Sequence, residues 1–375
     1  MIFLKIFRPI IKGIYEATLS NIPWAPPGVA LIGAARMWPY TKGEGAVVAV
    51  LDTGIDYTHP DLKSNVIGGA SFVPSESDFL DENGHGTHVA GTIAANGAIL
   101  GVAPEAKLLG VKVLDKSGVG SINNISQGLS WARKWKGKSG ERVNVVNFSL
   151  GSSLANSFFH NEIKKAVDEG ITIVCAAGNE GDGKPDTIEI SYPAYYSETV
   201  AVGAINLETG IADFSNSNQR IDVVAPGVDT YSTFIGGRYV ELSGTSMASP
   251  HVAGAVALIY SRYFKKFSAF PMPDNIKDFL HYQAIDLSTV GFNNLYGYGL
   301  FTFTIDGGKA ITLIVGENKY YINDRSYYFK SPLFIKDNVV MGSVEEVCNL
   351  LNTNTLFVAP SKEGENQLGL INIWY

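Results

Sequence analysis

Ala46-Val47-Val48-Ala49-Val50-Leu51-Asp52-Thr53-Gly54 decides the reading of this chain: six apolar residues, then a carboxylate, then a turn. Such a run reads as a buried strand that delivers Asp52 at its C-terminal tip. Downstream, Asn83-Gly84-His85-Gly86-Thr87-His88 sets an imidazole between glycines at the start of a small-residue helix running to Ala95. Further on, Ser243-Gly244-Thr245-Ser246-Met247-Ala248-Ser249-Pro250 puts Ser246 at the head of an apolar helix from Met247 to Tyr260. Pro250 is expected in its first turn, where a missing N–H costs little.

A serine hydroxyl is a poor nucleophile near neutral pH. It needs an imidazole to take its proton and a carboxylate to fix that imidazole's tautomer and stabilise its charge. A helix N-terminus suits the nucleophile, because free N–H groups and the dipole favour the oxyanion that forms beside it. Asp-Thr-Gly alone is a common turn, and Gly-x-Ser alone is a common helix start. The weight rests on their joint occurrence in the order acid, base, nucleophile.

The rest of the region alternates strand-like and helix-like segments. Lys107 to Val113 reads as strand, Ser121 to Lys136 as helix, Val143 to Phe148 as strand and Phe158 to Glu169 as helix. Strands leading to Cys175, at Thr199 to Ala204 and at Ile221 to Val224 complete an α/β pattern. This predicts a mainly parallel sheet with helices on both faces and active groups at the carboxyl ends of its strands. Trp131 and Trp135 share a helix face and read as packing residues.

These runs resemble the active-site segments of the subtilisin-like serine proteases, over about Gly43 to Gly299. The resemblance implies a three-layer α/β fold, an Asp52, His85, Ser246 triad, and Asn179 of Ala177-Gly178-Asn179-Glu180 as oxyanion donor. It further implies that Ser117-Gly118-Val119-Gly120 and Ser149-Leu150-Gly151 flank the substrate, which adds between them as a strand, with Ser191 at the pocket floor. Family members often hold a structural calcium through an Asp beyond the catalytic one, here Asp61. The loop Asn96-Gly97-Ala98-Ile99-Leu100 that would complete the site is short and carries no acidic residue. No cofactor is implied for catalysis.

Cys175-Ala176-Ala177-Gly178-Asn179-Glu180-Gly181-Asp182-Gly183 and Phe214-Ser215-Asn216-Ser217-Asn218 resemble the bacterial intracellular branch. In that branch an N-terminal extension with a Pro in an apolar motif lies across the active site. Ile6-Phe7-Arg8-Pro9-Ile10-Ile11 occupies a comparable position, so residues 1–40 are expected as an extension with an inhibitory role, ahead of a peptidase domain at 41–305.

With 375 residues, 46% of them hydrophobic, the chain can bury a large core and a second small one. Residues 306–375 read as a small α+β module: short strands at Ile311–Val315, Lys319–Ile322 and Pro332–Met341, then a helix from Val344 to Leu351. They resemble the module named from the N-terminal region of copper amine oxidases, without any His cluster for copper. Adhesion, docking and plain stabilisation all stay open for it.

The net charge of −7 argues against nucleic acid as a partner, and only two cysteines exclude a disulfide framework. No transmembrane stretch is expected, and Lys5, Arg8 and Pro9 interrupt the only candidate leader, so a cytoplasmic peptidase acting on proteins or peptides is expected. A homo-oligomer stays open. Three competitors remain: a metal hydrolase on His85 and His88, an α/β-hydrolase using Ser246, Asp278 and His281, and a catalytically silent peptide-binding relative.

Overall fold

The computed structural model describes residues 3–6, 10–15, 23–74, 76–288 and 291–303, and strands at 311–314, 319–322, 325–328, 334–336, 339–341 and 370–373. Two units divide between Phe303 and Thr304. The first opens with strands β1 (Phe3–Lys5) and β2 (Ile10–Tyr15) and helices α1 (Pro27–Leu31) and α2 (Ala34–Met37). Then come β3 (Val47–Asp52), β4 (Val66–Ser71), α3 (His85–Ala94), β5 (Lys107–Lys112), β6 (Val119–Ser121) and α4 (Ile122–Lys134). They are followed by β7 (Val145–Phe148), α5 (Ser157–Asp168), β8 (Thr172–Ala176), β9 (Val200–Ile205), β10 (Val223–Pro226), β11 (Thr230–Phe234) and β12 (Arg238–Ser243). The long α6 (Thr245–Phe267), α7 (Pro273–Gln283), β13 (Ala284–Ile285) and β14 (Leu300–Phe301) close the unit.

Nine strands form one sheet in the order β13-β14-β10-β9-β8-β7-β3-β5-β4, parallel except for the β13–β14 edge pair. Side chains alternate across a strand, and in β3 that period divides two cores. Val48 and Val50 pack with Val89 and Ile93 of α3 and Val252 and Val256 of α6. Val47, Ala49 and Leu51 pack with Ile125 and Leu129 of α4 and Ile163 of α5. Both faces of β3 are therefore buried, which is why its sequence is continuously apolar. Each Val or Leu taken fully out of water contributes roughly 1.5–3 kcal/mol.

α6 packs against α3 at close range, since a Cβ at Gly254 would lie 3.2 Å from Ile93 O of α3 and 2.6 Å from Val102 beyond it. Trp131 and Trp135 pack against the second core as expected. Residues 27–37, expected within an N-terminal extension, belong to the core instead: Val29, Ile32, Ala34 and Met37 are buried against the α6 side. β1 and β2 likewise join this unit by pairing with β6 and β12. No helix among the described residues is long and apolar enough to cross a membrane.

The second unit contains a four-stranded antiparallel sheet ordered Arg325–Tyr328, Lys319–Ile322, Ile311–Ile314, Leu370–Ile373. Within the stretch Pro332–Met341, the strands Phe334–Lys336 and Val339–Met341 pair antiparallel. The expected helix at 344–351 lies outside the described residues.

Candidate active site

Three chain segments far apart in sequence meet at the carboxyl end of the sheet. Asp52 ends β3, His85 begins α3 behind Gly84 at φ 104°, and Ser246 is the second residue of α6. Asp52 Oδ1 and His85 Nδ1 are 2.8 Å apart, with both side chains buried. The same Oδ1 accepts the Thr53 N–H at 2.7 Å, and His85 Nε2 has no protein partner. Ser246 Oγ donates to Ser149 O at 3.1 Å rather than to the imidazole.

Pro250 departs from expectation. α6 starts at Thr245, so this proline sits inside the helix, where its missing N–H leaves the Ser246 carbonyl without its helical donor. The Ser149 hydroxyl supplies the replacement, donating to Ser246 O at 3.0 Å. The nucleophile's helix and the 149–151 segment are thereby clipped together in both directions.

Asn179 follows β8, and its Oδ1 accepts from Thr245 N at 2.9 Å and Thr245 Oγ1 at 2.8 Å. With the oxygen so engaged, the amide nitrogen is the remaining donor. It lies 3.0 Å from where a Cβ on Gly244 would be, beside the start of α6.

Two positioning groups were missed in the sequence. Buried Asp81 accepts from Thr53 Oγ1, the N–H groups of Asn83, Gly84 and Thr87, and Thr87 Oγ1, at 2.7–3.0 Å. It thus ties the acid's turn to the first turn of the base's helix. Lys112, buried at the end of β5, donates to Thr53 O at 2.9 Å and pairs with Glu76 at 3.0 Å. The available signals were an Asp four residues before His85 and a Lys ending an apolar strand.

The segments expected to flank a substrate face one another across β1. Leu4 pairs with Gly120, Lys5 with Val119, and Ile6 N donates to Gly118 O at 3.0 Å. On the other side Lys5 and Gly151 exchange two backbone hydrogen bonds of 3.3 and 3.1 Å. Ser117 is anchored through Asp115, and Leu150 is buried in the core. Ser191 is buried with its hydroxyl unpartnered, next to Tyr192, which bridges to Ser152. β2 pairs with β12, its Ile10 opposite Ser243, just ahead of Ser246; residues 7–9 are outside the described set.

The competing constellations do not assemble. His88 Nε2 lies 2.9 Å from Thr230 O, and the described residues contain no group of three or more His, Cys, Asp or Glu suited to a metal. His281 pairs with Asp222 at 2.8 Å and stacks on Tyr298, away from Ser246. Asp61, expected as a calcium ligand, is surrounded by N–H and O–H donors, a set that does not fit a cation.

Burial pushes His88 down to about 3 and His251 down to about 4, against smaller opposing contacts from backbone carbonyls. The unfolded chain binds these protons near pH 6.5, and the folded chain only well below that. The resulting stability is complete above pH 6.5 and is lost as pH falls toward those lower values, at about 1 kcal/mol per histidine per pH unit. The urea midpoint of an inactive variant is expected to drop between about pH 7.5 and 5. Replacing His88 with Gln should flatten that dependence, and an unchanged slope would contradict the assignment.

Residues 43–299 match the sequence model of the subtilase family, peptidase S8, and the chain belongs to that family. An intracellular serine protease of Paenibacillus polymyxa is 50% identical over 241 residues, 62% of this chain and 72% of that protein. The major intracellular serine protease of Bacillus subtilis is 48% identical over 261 residues, 67% of this chain and 80% of the relative. Subtilisin Savinase of Lederbergia lenta is 48% identical over 284 residues, 75% and 97% of the two chains. The protein is a subtilisin-like serine endopeptidase, matching the intracellular branch.

Proposed function

We propose that peptide bonds are cleaved through Asp52, His85 and Ser246 with Asn179 stabilising the oxyanion. The observation that carries this reading is the 2.8 Å contact between the buried Asp52 carboxylate and His85 Nδ1. It fixes the proton on Nδ1 and leaves Nε2 as the base. Ser246 Oγ leaves Ser149 O, passes its proton to Nε2 and attacks the carbonyl carbon. The Asn179 amide and the Ser246 N–H hold the oxyanion. His85 then protonates the leaving amine, and water, deprotonated by the same imidazole, releases the acyl group. Substrate adds as a strand between 117–120 and 149–151, with its side chain toward Ser191. Turnover of peptides that a serine-directed fluorophosphonate stops and a chelator does not would support this. The opposite pattern would refute it, and folded protein inert to both peptide and reagent would be the silent relative.

The N-terminal segment is assigned an inhibitory role. β1 takes main-chain hydrogen bonds from both proposed substrate walls, and Leu4 and Ile6 are buried there. A peptide substrate would need those bonds. Removing residues 1 to about 20 is expected to raise activity per titrated active site, and a peptide of that sequence to inhibit the shortened enzyme. Equal activity per site in the two forms would end the assignment. Action in the cytoplasm is inferred from the similarity to the intracellular proteases of Paenibacillus and Bacillus.

A further inference from the structure

Family resemblance implies a cation at Asp61, yet the atoms there are arranged for something else. Asp61 is buried, and its carboxylate receives three hydrogens: Ala98 N–H on Oδ1, and Ile99 N–H and the Tyr239 hydroxyl on Oδ2, each at 2.9 Å. Calcium requires six to eight oxygen ligands at about 2.3–2.6 Å with lone pairs turned toward it. Two carbonyls of the loop and two beside it are also engaged. Ala98 O accepts from Trp24 N, Ile99 O from Gly97 N, Asp61 O from Asn96 N, and Ala95 O from Gly101 N.

Space is closed as well. A Cβ on Gly97 would lie 2.0 Å from Asp61 Oδ1, so the carboxylate rests against the loop backbone with no room for a coordination shell between them. Tyr239 reaches Asp61 from β12, across 178 positions of sequence, and its ring is held by Tyr231 at 5.6 Å and by the edge of His59 at 5.3 Å. His59 itself accepts the Asp61 N–H on Nδ1 at 3.1 Å and approaches Arg238 O with Nε2 at 3.1 Å. Burial and then the Asp61 charge raise the Tyr239 pKa, so the hydroxyl keeps the proton it donates.

We propose that a hydrogen-bond clamp of Tyr239, Asp61 and the shortened 96–100 loop stands in this chain where relatives use a calcium ion. The loop after α3 is then fastened to β12 by protein atoms alone. Its stability does not depend on the calcium supply.

The test uses full-length protein carrying Ser246→Ala, which prevents self-digestion, with and without Asp61→Asn. Melting temperature is read in excess EGTA and in millimolar calcium chloride. The quantity of interest is the calcium-induced shift that depends on Asp61. The clamp predicts the same shift in both proteins, whereas a cation bound at Asp61 well above its Kd would raise only the parent by several degrees. In addition, Tyr239→Phe keeps the ring and removes the donor, and is expected to lower the melting temperature by about 2–5 °C with no rescue by calcium. An Asp61-dependent calcium shift, or a Tyr239→Phe protein as stable as its parent, would overturn the proposal.

Discussion

Replacing Ser246 with Ala is expected to reduce peptide turnover by about 10⁶-fold while leaving the fold intact, and replacing His85 with Ala to cost about the same. These magnitudes are carried over from the subtilisins as a class. The equality of the two losses has a local reason. The hydroxyl is a nucleophile only while an imidazole can take its proton, so either deletion removes the same step. The double variant should therefore be little worse than either single one. The Ser246 side chain is small and its carbonyl keeps the Ser149 partner, so circular dichroism and melting temperature should hold close to the parent's. A Ser246→Ala protein with more than trace peptidase activity would contradict the assignment.

Asp52→Asn is expected to lower turnover by about 10⁴-fold, a smaller loss because nucleophile and base both remain. The amide lacks the charge that steadies the imidazolium, and it can also be turned with its nitrogen where the carboxylate oxygen now accepts. Asp52 Oδ1 accepts from both Thr53 N and His85 Nδ1, and an NH2 group in that place would force the imidazole to present its acceptor at Nδ1 and its proton at Nε2. That tautomer cannot accept the serine proton. Turnover should recover in part at high pH, where the serine proton can be lost to solvent. Asn179→Ala, which removes one oxyanion donor, belongs lower still in the ranking at roughly 10²–10³. Rates measured for the three variants under one set of conditions check the order. Asn179→Ala costing more than Asp52→Asn would reverse the division of labour.

The parts of this molecule written in local pattern could be read before any coordinates. The apolar run in β3, the glycines around His85 and the apolar stretch after Ser246 each report their own backbone environment. Their order then implied how they meet. What could not be read depends on partners remote in sequence. Asp81 looks like any loop aspartate until Thr53, Gly84 and Thr87 are found around it, and Lys112 looks misplaced until Glu76 and Thr53 O reach it. Pro250 was placed in a first turn because helix starts are blurred by a residue or two. Its interior position makes sense only with Ser149 supplying the missing donor. The same limit applied at Asp61, for which the family resemblance implied a cation ligand, while the hydroxyl that bonds its carboxylate comes from Tyr239.

The central claim is that Ser246 is the attacking group, and covalent capture measures it most directly. Full-length and N-terminally shortened protein would each be treated with a fluorophosphonate, digested and mapped by mass spectrometry. The account predicts a single modified residue, Ser246, with the fraction labelled equal to the fraction of peptidase activity lost, and no labelling of His85→Ala on the same timescale. A label on another serine, or full activity retained with Ser246 modified, would contradict it.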